Sequence, residues 1–320
     1  MAEDLPGLEA LEEGCPSELA ARVRAARAAK LEADVAAMQR AAAGLPPGTP
    51  VRCAALEAAV RELAAREQRL GFHARLAAEV AERFGTCGAG EGAAGAMRSP
   101  NGGNSTGQLP YSLDNFAYGS TPYATWLKVL SAAGDAVEAA MATAGREYVV
   151  WGSSCGWLVL YGALTYGWRS RGVEILACLH ETAVQVAAQL PAGGPPGSAA
   201  ASFRCGDLLL DDVSGAGLVL LADQCWDPQL AAAAAAKLGR ELLQGALCVS
   251  YSGAALETVM APEVAEAGSV SGGEPREGMG GGADEVGSGG GKGRAFEEVA
   301  VVRAPVSWAE AQPFRVFRRL

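Results

Sequence analysis

Apolar positions along this chain change period several times, and each change marks an element. From Ser17 onward, Leu19, Val23, Leu31, Val35 and Met38 recur at steps near three and four among arginines and glutamates, which predicts an amphipathic helix stopped by Leu45-Pro46-Pro47-Gly48. A second helical run is expected from Thr49-Pro50, a capping residue followed by a proline at the first helical position, with Leu56, Val60, Leu63, Leu70, Leu76, Val80 and Phe84 on its apolar face. Residues 1–85 thus read as an α-helical hairpin or small bundle, and 86–108, rich in Gly, Asn, Ser and Ala, as a flexible linker. Ala124 to Ala144 reads as one helix.

The period then shortens. Tyr148-Val149-Val150-Trp151 is a β-branched and aromatic run of the kind that forms a buried parallel strand. Trp157 to Tyr166 is apolar around most of its circumference, as a helix packed on a sheet is, and Gly172-Val173-Glu174-Ile175 is a second strand. The alternation continues with a helix from Leu176 to Leu190, a strand over Ser202–Cys205, a strand over Leu218–Ala222, a helix from Gln229 to Gln244 and a strand from Ala246 to Tyr251. Phe296–Trp308 and Pro313–Leu320 are β-rich and read as an antiparallel pair around a short loop. Residues 263–294, dominated by Gly, Glu, Ser and Ala, read as a disordered insertion. The expected class is α/β: a mostly parallel sheet closed by a C-terminal antiparallel pair and preceded by helices.

Composition narrows the partners. With 26 basic against 36 acidic residues the net charge is −10, which opposes a whole-surface attraction to nucleic acid or anionic membrane. Eight cysteines without a C-x-x-C pair, and only His73 and His180 beside them, give no zinc-ligand spacing, so no metal is expected. The cysteines read as reduced, mostly buried thiols. No long uninterrupted apolar window is present, and MAEDLPGLEALEEG is acidic where a targeting peptide is basic. The expectation is a soluble cytoplasmic or nuclear protein.

Candidate chemistry gathers where strands end. Gly152 and Gly156 allow a sharp turn and a close ligand approach after the first strand, and Glu174, about 20 residues on, can accept both hydroxyls of a ribose. The intervening Ser153 and Ser154 depart from the G-x-G-x-x-G dinucleotide fingerprint, so the loop suits a nucleoside without a pyrophosphate, S-adenosylmethionine being one. An ordinary crossover whose glycines only turn the chain is the alternative. Gly206-Asp207 ends the third strand, where Asp207 can take the exocyclic amine of an adenine or simply cap a turn. Asp223-Gln224-Cys225-Trp226 ends the fourth, a place for a reaction centre, and the aromatics of the 109–123 segment either cover an adenine or strap two domains together.

From Tyr118 onward the sequence resembles the Dot-type histone-lysine methyltransferases, within the Rossmann-like S-adenosylmethionine-dependent superfamily. The resemblance lies in Tyr118-Gly119, Gly152-Ser153 with Gly156, Gly172-Val173-Glu174, Gly206-Asp207 and Val306-Ser307-Trp308. It implies a methyltransferase domain over 109–320 that binds S-adenosylmethionine and acts on a protein side chain, lysine included. Gly152, Ser153 and Gly156 would approach the methionine part, Glu174 the ribose, and Asp207 with Leu208 the adenine, with Tyr118-Gly119 in a closing loop. Asp223, Gln224, Trp226 and Trp308 are the substrate-channel candidates. The chain departs from the family at Val150, at Ser154 and at Asp223-Gln224-Cys225, and it lacks a basic nucleosome-binding segment. These departures leave open a non-catalytic relative that binds cofactor or partner; a nicotinamide dehydrogenase is disfavoured by the loop pattern.

Overall fold

Tyr148, Val149, Val150 and Trp151 are all fully buried, as a strand covered on both faces must be. They belong to β1 (Glu147–Trp151), the middle of a seven-stranded sheet. The computed structural model describes residues 17–69, 71–84, 113–116, 119–143, 145–190, 201–259 and 294–320. The other strands are β2 (Arg169–Glu174), β3 (Ala201–Cys205), β4 (Ala216–Leu221), β5 (Leu247–Ser250), β6 (Phe296–Val306) and β7 (Ala309–Arg319). They lie in the order β3-β2-β1-β4-β5-β7-β6. The first five are parallel, and β7 runs antiparallel to both β5 and β6. This is the expected fold class. Because β1 is followed by β2 on one side and flanked by β4 on the other, the order reverses at β1, and the crevice at the carboxyl ends of these strands is where such sheets bind ligands.

Strand alternation sorts the core into two layers. Tyr148, Val150, Leu218 and Leu220 face one way, in a cluster with Leu56 and Leu63, Trp126 and Leu130, and Leu160 and Leu164. Val149, Trp151, Val219 and Leu221 face the other, against Leu230, Ala234 and Leu238. The helices are α1 (Ser17–Ala43), α2 (Cys53–Glu67), α3 (Phe72–Phe84), α4 (Tyr123–Ala132), α5 (Gly134–Met141), α6 (Trp157–Thr165), α7 (Ala177–Gln189), α8 (Pro228–Glu241) and α9 (Ala254–Thr258). α2 packs on α6 and α7, and α4 on β6.

Several boundaries differ from the sequence expectation for local reasons. The run from Thr49 to Phe84 splits at Gly71, whose φ of +82° lies in the left-handed region, and helix begins only at Cys53 because the Arg52 backbone (φ −95°, ψ 69°) is not helical. The single helix over 124–144 breaks at Ala133 (φ −120°, ψ 30°) into α4 and α5. The loop expected before Pro313 is strand instead: β7 pairs with β6 there, while β5 reaches only Arg315–Arg318, so the missing proline N–H interrupts no ladder on that side. The thiols are less buried than expected; of those described only Cys155 and Cys248 are buried. The 86–108 linker and nearly all of the 263–294 insertion lie outside the described residues.

Asp211 locks the sheet from beneath. Its fully buried carboxylate accepts from Trp151 Nε1 at 3.1 Å on β1, from Arg171 on β2 and from Arg204 at 3.2 Å on β3. Removing this carboxylate would leave the buried Trp151 Nε1–H without a partner and take one of two carboxylates from Arg171, which keeps Glu147 at 3.1 Å. Asp211→Ala is therefore expected to lower the unfolding free energy by about 3 kcal/mol, read from the urea midpoint at constant slope; a loss under about 1 kcal/mol would mean the arginines find solvent instead.

Candidate functional site

The chain leaves β1 through Gly152-Ser153-Ser154-Cys155-Gly156, directly into the crevice where the sheet order reverses. Gly152 and Gly156 take φ of +72° and +93°, which only glycine adopts without strain, and a Cβ at Gly156 would come within 2.8 Å of the Phe203 ring. The N–H groups of Gly152 and Ser153 both donate to the Val173 carbonyl at 3.0 Å, folding the loop back onto β2. The Ser154 N–H donates to Glu174 Oε2 at 2.7 Å, and the Leu176 N–H donates to Oε1 at 3.0 Å. Glu174 is only 6% exposed. Burial pushes its carboxyl up from the usual range, and the Leu176 and Ser154 N–H groups offset part of that. Each oxygen keeps a lone pair for a ligand hydroxyl.

A cleft opens beside this carboxylate. Ser154, Glu174 and Gln224 face it with the backbone of Gly152 and Gly206, while Leu76, Leu176, Leu179 and Leu208 give apolar walls. No lysine, arginine or histidine lines it among the described residues. Gln224 Oε1 and Ser154 Oγ are shielded from solvent without a hydrogen-bond partner. A neutral or cationic nucleoside fits such a lining; a pyrophosphate has nothing cationic to meet.

Of the sequence candidates, Gly119, Gly152, Ser154, Glu174, Leu208, Gln224 and Trp226 converge on this cleft. Ser153 is packed beneath it, against Gly172, and Gly156 precedes α6. Asp207 caps the short turn at Leu208–Leu210, accepting from the Leu209 N–H at 2.8 Å, between two residues that line the cleft. Asp223 faces the turn after β5: it accepts from Ser250 Oγ, from the Tyr251 N–H at 2.7 Å and from Ser252 Oγ at 3.1 Å. Burial pushes its carboxyl up, against those donors. Trp308 sits on the β6–β7 turn, 40% exposed, its six-membered ring so close to Gly119 that a Cβ there would lie 2.4 Å away. It reaches the cleft only through Gly119. Tyr118 lies outside the described residues.

Sequence reasoning did not foresee that α3 forms a wall. Leu76 lines the cleft, and Phe84 stacks at 4.3 Å on Phe116, another lining residue. Glu79 caps α7 from a distant element, accepting from the N–H groups of Ala177 and Cys178, and Arg83 donates to the Ile175 carbonyl. Burial pushes the Glu79 carboxyl up, but those N–H groups and Arg83 outweigh it and hold the group below its usual range. Next to Phe116, Asn115 and Asp227 exchange hydrogen bonds at 3.0 and 2.7 Å, Asn115 Nδ2 donating to the carboxylate and the Asp227 N–H to Asn115 Oδ1. An amphipathic repeat reveals which helix face is apolar, not which cleft it closes.

No family model matches the chain, and no curated protein matches it. Solved structures do. An RNA methyltransferase from Salinibacter ruber in complex with S-adenosyl-L-homocysteine is 29% identical over 41% of this chain and 76% of its own, with a TM-score of 0.33. A TehB-like SAM-dependent methyltransferase from Corynebacterium glutamicum is 18% identical over 62% of this chain and 96% of its own, with a TM-score of 0.34. A geranyl diphosphate C-methyltransferase from Streptomyces coelicolor is 16% identical over 39% of this chain and 45% of its own, with a TM-score of 0.29. The solved structures to which this chain is similar thus include methyltransferases of different acceptors.

The Glu79 contact sets a pH dependence. A carboxyl held below its unfolded value of about 4.3 stabilises the fold above that pH, and the contribution fades as pH falls through the folded value. Glu79→Gln is expected to cost about 1 kcal/mol at pH 7, with the difference from wild type vanishing toward pH 3. Urea denaturation at several pH values measures it; a gap of constant size across that range would count against the carboxylate cap.

Proposed function

We propose that this chain is an S-adenosylmethionine-dependent methyltransferase. The carrying observation is the buried Glu174 carboxylate at the sheet reversal, in a cleft without a cationic side chain. Glu174 would take the ribose hydroxyls, Leu208 with Leu176 the base, and the side-chain-free backbone at Gly152 the amino-acid tail. The lining fits such a group: a sulfonium is cationic, and the wall that faces it is neutral or acidic. A nicotinamide dinucleotide fits poorly, because its two phosphates would meet only backbone and apolar groups.

S-adenosylmethionine, when bound, supplies an activated methyl group on a positively charged sulfur. The protein's part is then positioning and exclusion of water. Gln224, with its shielded and unpartnered Oε1, can accept an N–H from a nitrogen acceptor, and Trp226 gives that acceptor an apolar wall. An amine must arrive neutral, and desolvation there lowers its pKa. A free carboxylate beside it would oppose this, but Asp223 is engaged by Ser250, Tyr251 and Ser252. The acceptor class we favour is a protein side-chain nitrogen, lysine included, as the Dot-type resemblance implies. The engagement of Asp223 also favours a second reading, a non-catalytic relative that binds the cofactor, since no other acid than Glu174 lines the cleft among the described residues.

Two measurements separate these readings. Calorimetric titration with S-adenosylmethionine should give binding that Glu174→Ala weakens by about 10- to 100-fold, the loss of a charge-assisted hydrogen bond or two; wild-type protein that binds nothing would remove both readings. Transfer of labelled methyl groups, tried on protein extracts, RNA and small amines, should then reach protein. In that assay Gln224→Leu is expected to lower kcat/KM by about tenfold or more, the equivalent of about 1.4 kcal/mol, while cofactor affinity changes less than threefold. Binding with no transfer to any acceptor would favour the non-catalytic relative.

A further inference from the structure

We infer that the Asn115–Asp227 pair is a latch on ligand exchange, which parts to let a nucleoside into the cleft and re-forms once it is seated. The inference rests on the nucleoside reading above and adds to it how the site is entered. The cleft encloses about 90 Å³, well short of the roughly 300 Å³ at which sites for small molecules begin. Glu174, which lines it, is almost wholly buried, and Gln224 Oε1 is shielded from solvent. A ligand therefore reaches the carboxylate only if a wall moves, and the walls are not held alike. Val173 lies in the parallel ladder, paired with Trp151. Leu76, Leu176 and Leu179 belong to the core layer on one face of the sheet, and Leu230 of α8 to the layer on the other. The single 3₁₀ turn Leu113–Phe116 joins these two layers across the carboxyl edge.

Its two attachments differ in kind. Phe116 packs on the first layer, its ring stacked at 4.3 Å on Phe84. Asn115 is tied to Asp227 at the start of α8: Nδ2 donates to the carboxylate at 3.0 Å, and Oδ1 accepts the Asp227 N–H at 2.7 Å. Both Asn115 and Phe116 line the cleft. Aromatic pairs are favourable over a range of angles, whereas an amide pair is lost once its atoms stand further apart than about 3.5 Å. The turn can thus swing on Phe116 when the pair parts. Asp227 keeps the Leu230 N–H on its other oxygen at 2.9 Å, so α8 retains its cap while the latch is open. The same two bonds re-form over a seated ligand and cancel from the affinity, so the latch slows entry and exit alike.

The test uses full-length wild type, Asn115→Ala, Asn115→Asp, and the double variant Asn115→Asp with Asp227→Asn. S-adenosylhomocysteine is the probe, and surface plasmon resonance on the immobilised protein reads both rates. Asn115→Ala should raise association and dissociation together, each by at least about tenfold, as loss of a charge-assisted hydrogen bond gives, with Kd changed less than about threefold. Asn115→Asp sets two carboxylates against each other and should act in the same direction. In the double variant the side chains exchange their roles as donor and acceptor and the Leu230 cap is kept, so both rates should return to within about threefold of wild type. Should Asn115→Ala fail to fold, Asn115→Asp and its rescue decide the case alone. Unchanged rates, faster dissociation with unchanged association, as loss of a plain ligand contact gives, or no recovery in the double variant overturns the latch. Wild type that binds no S-adenosylhomocysteine overturns the nucleoside reading itself, and is seen before any variant is compared.

Discussion

A buried carboxylate has to be hydrogen-bonded, and the way Glu174 meets that requirement shapes the carboxyl edge of the sheet. Its two oxygens collect the N–H of Ser154 from the loop after β1 and the N–H of Leu176 at the entry to α7. One side chain thus fixes the end of β2, the bend of the glycine loop and the start of a helix. The glycines follow from this. With the Gly152 and Ser153 N–H groups both turned to Val173, the backbone must pass through positive φ, and at Gly156 the Phe203 ring leaves no room for a side chain.

The entry to α7 is held from a second side by Glu79, which accepts the first helical N–H groups, while Arg83 takes the Ile175 carbonyl. These contacts join the N-terminal helices to the cleft, and Leu76 and Phe84 complete them with apolar surface. The far rim is pinned by comparable means. Ser120 donates to Ser307 Oγ at 2.9 Å and accepts from the Ser307 N–H at 3.1 Å, setting Gly119 flat on Trp308. The sheet supplies the floor of the cleft, and segments distant in sequence supply its walls.

The electrostatics of the cleft are set as much by what is turned away from it as by what faces it. Asp223 stands two residues after the end of β4, yet its carboxylate is spent on the turn after β5, where Ser250, Tyr251 and Ser252 hold it. Arg171 and Arg204 pair with Asp211 and do not line the cleft. What remains at the cleft, among the described residues, is one acid, two amides, a hydroxyl, an indole, backbone and hydrocarbon. Such a surface favours a ligand without phosphates.

The strands of the sheet and the loop at its edge were legible in the amino-acid sequence. Runs such as Tyr148–Trp151 and Leu218–Leu221 are apolar on both faces and admit little but buried parallel strands, and the spacing from Gly152 to Glu174 is a local pattern within one strand-loop-helix-strand unit. Which side chains close on that edge depends on contacts between segments far apart in the chain. The Glu79 contact spans 98 residues and the Asn115–Asp227 pair 112, and no periodicity records a partner so far along the chain. Asp223 was legible as a carboxylate at a strand end but not as one turned to donors 27 to 29 residues on. Likewise residues 309–312, read as a loop before Pro313, are strand, because whether the missing proline N–H matters depends on a neighbour that the assembled sheet supplies.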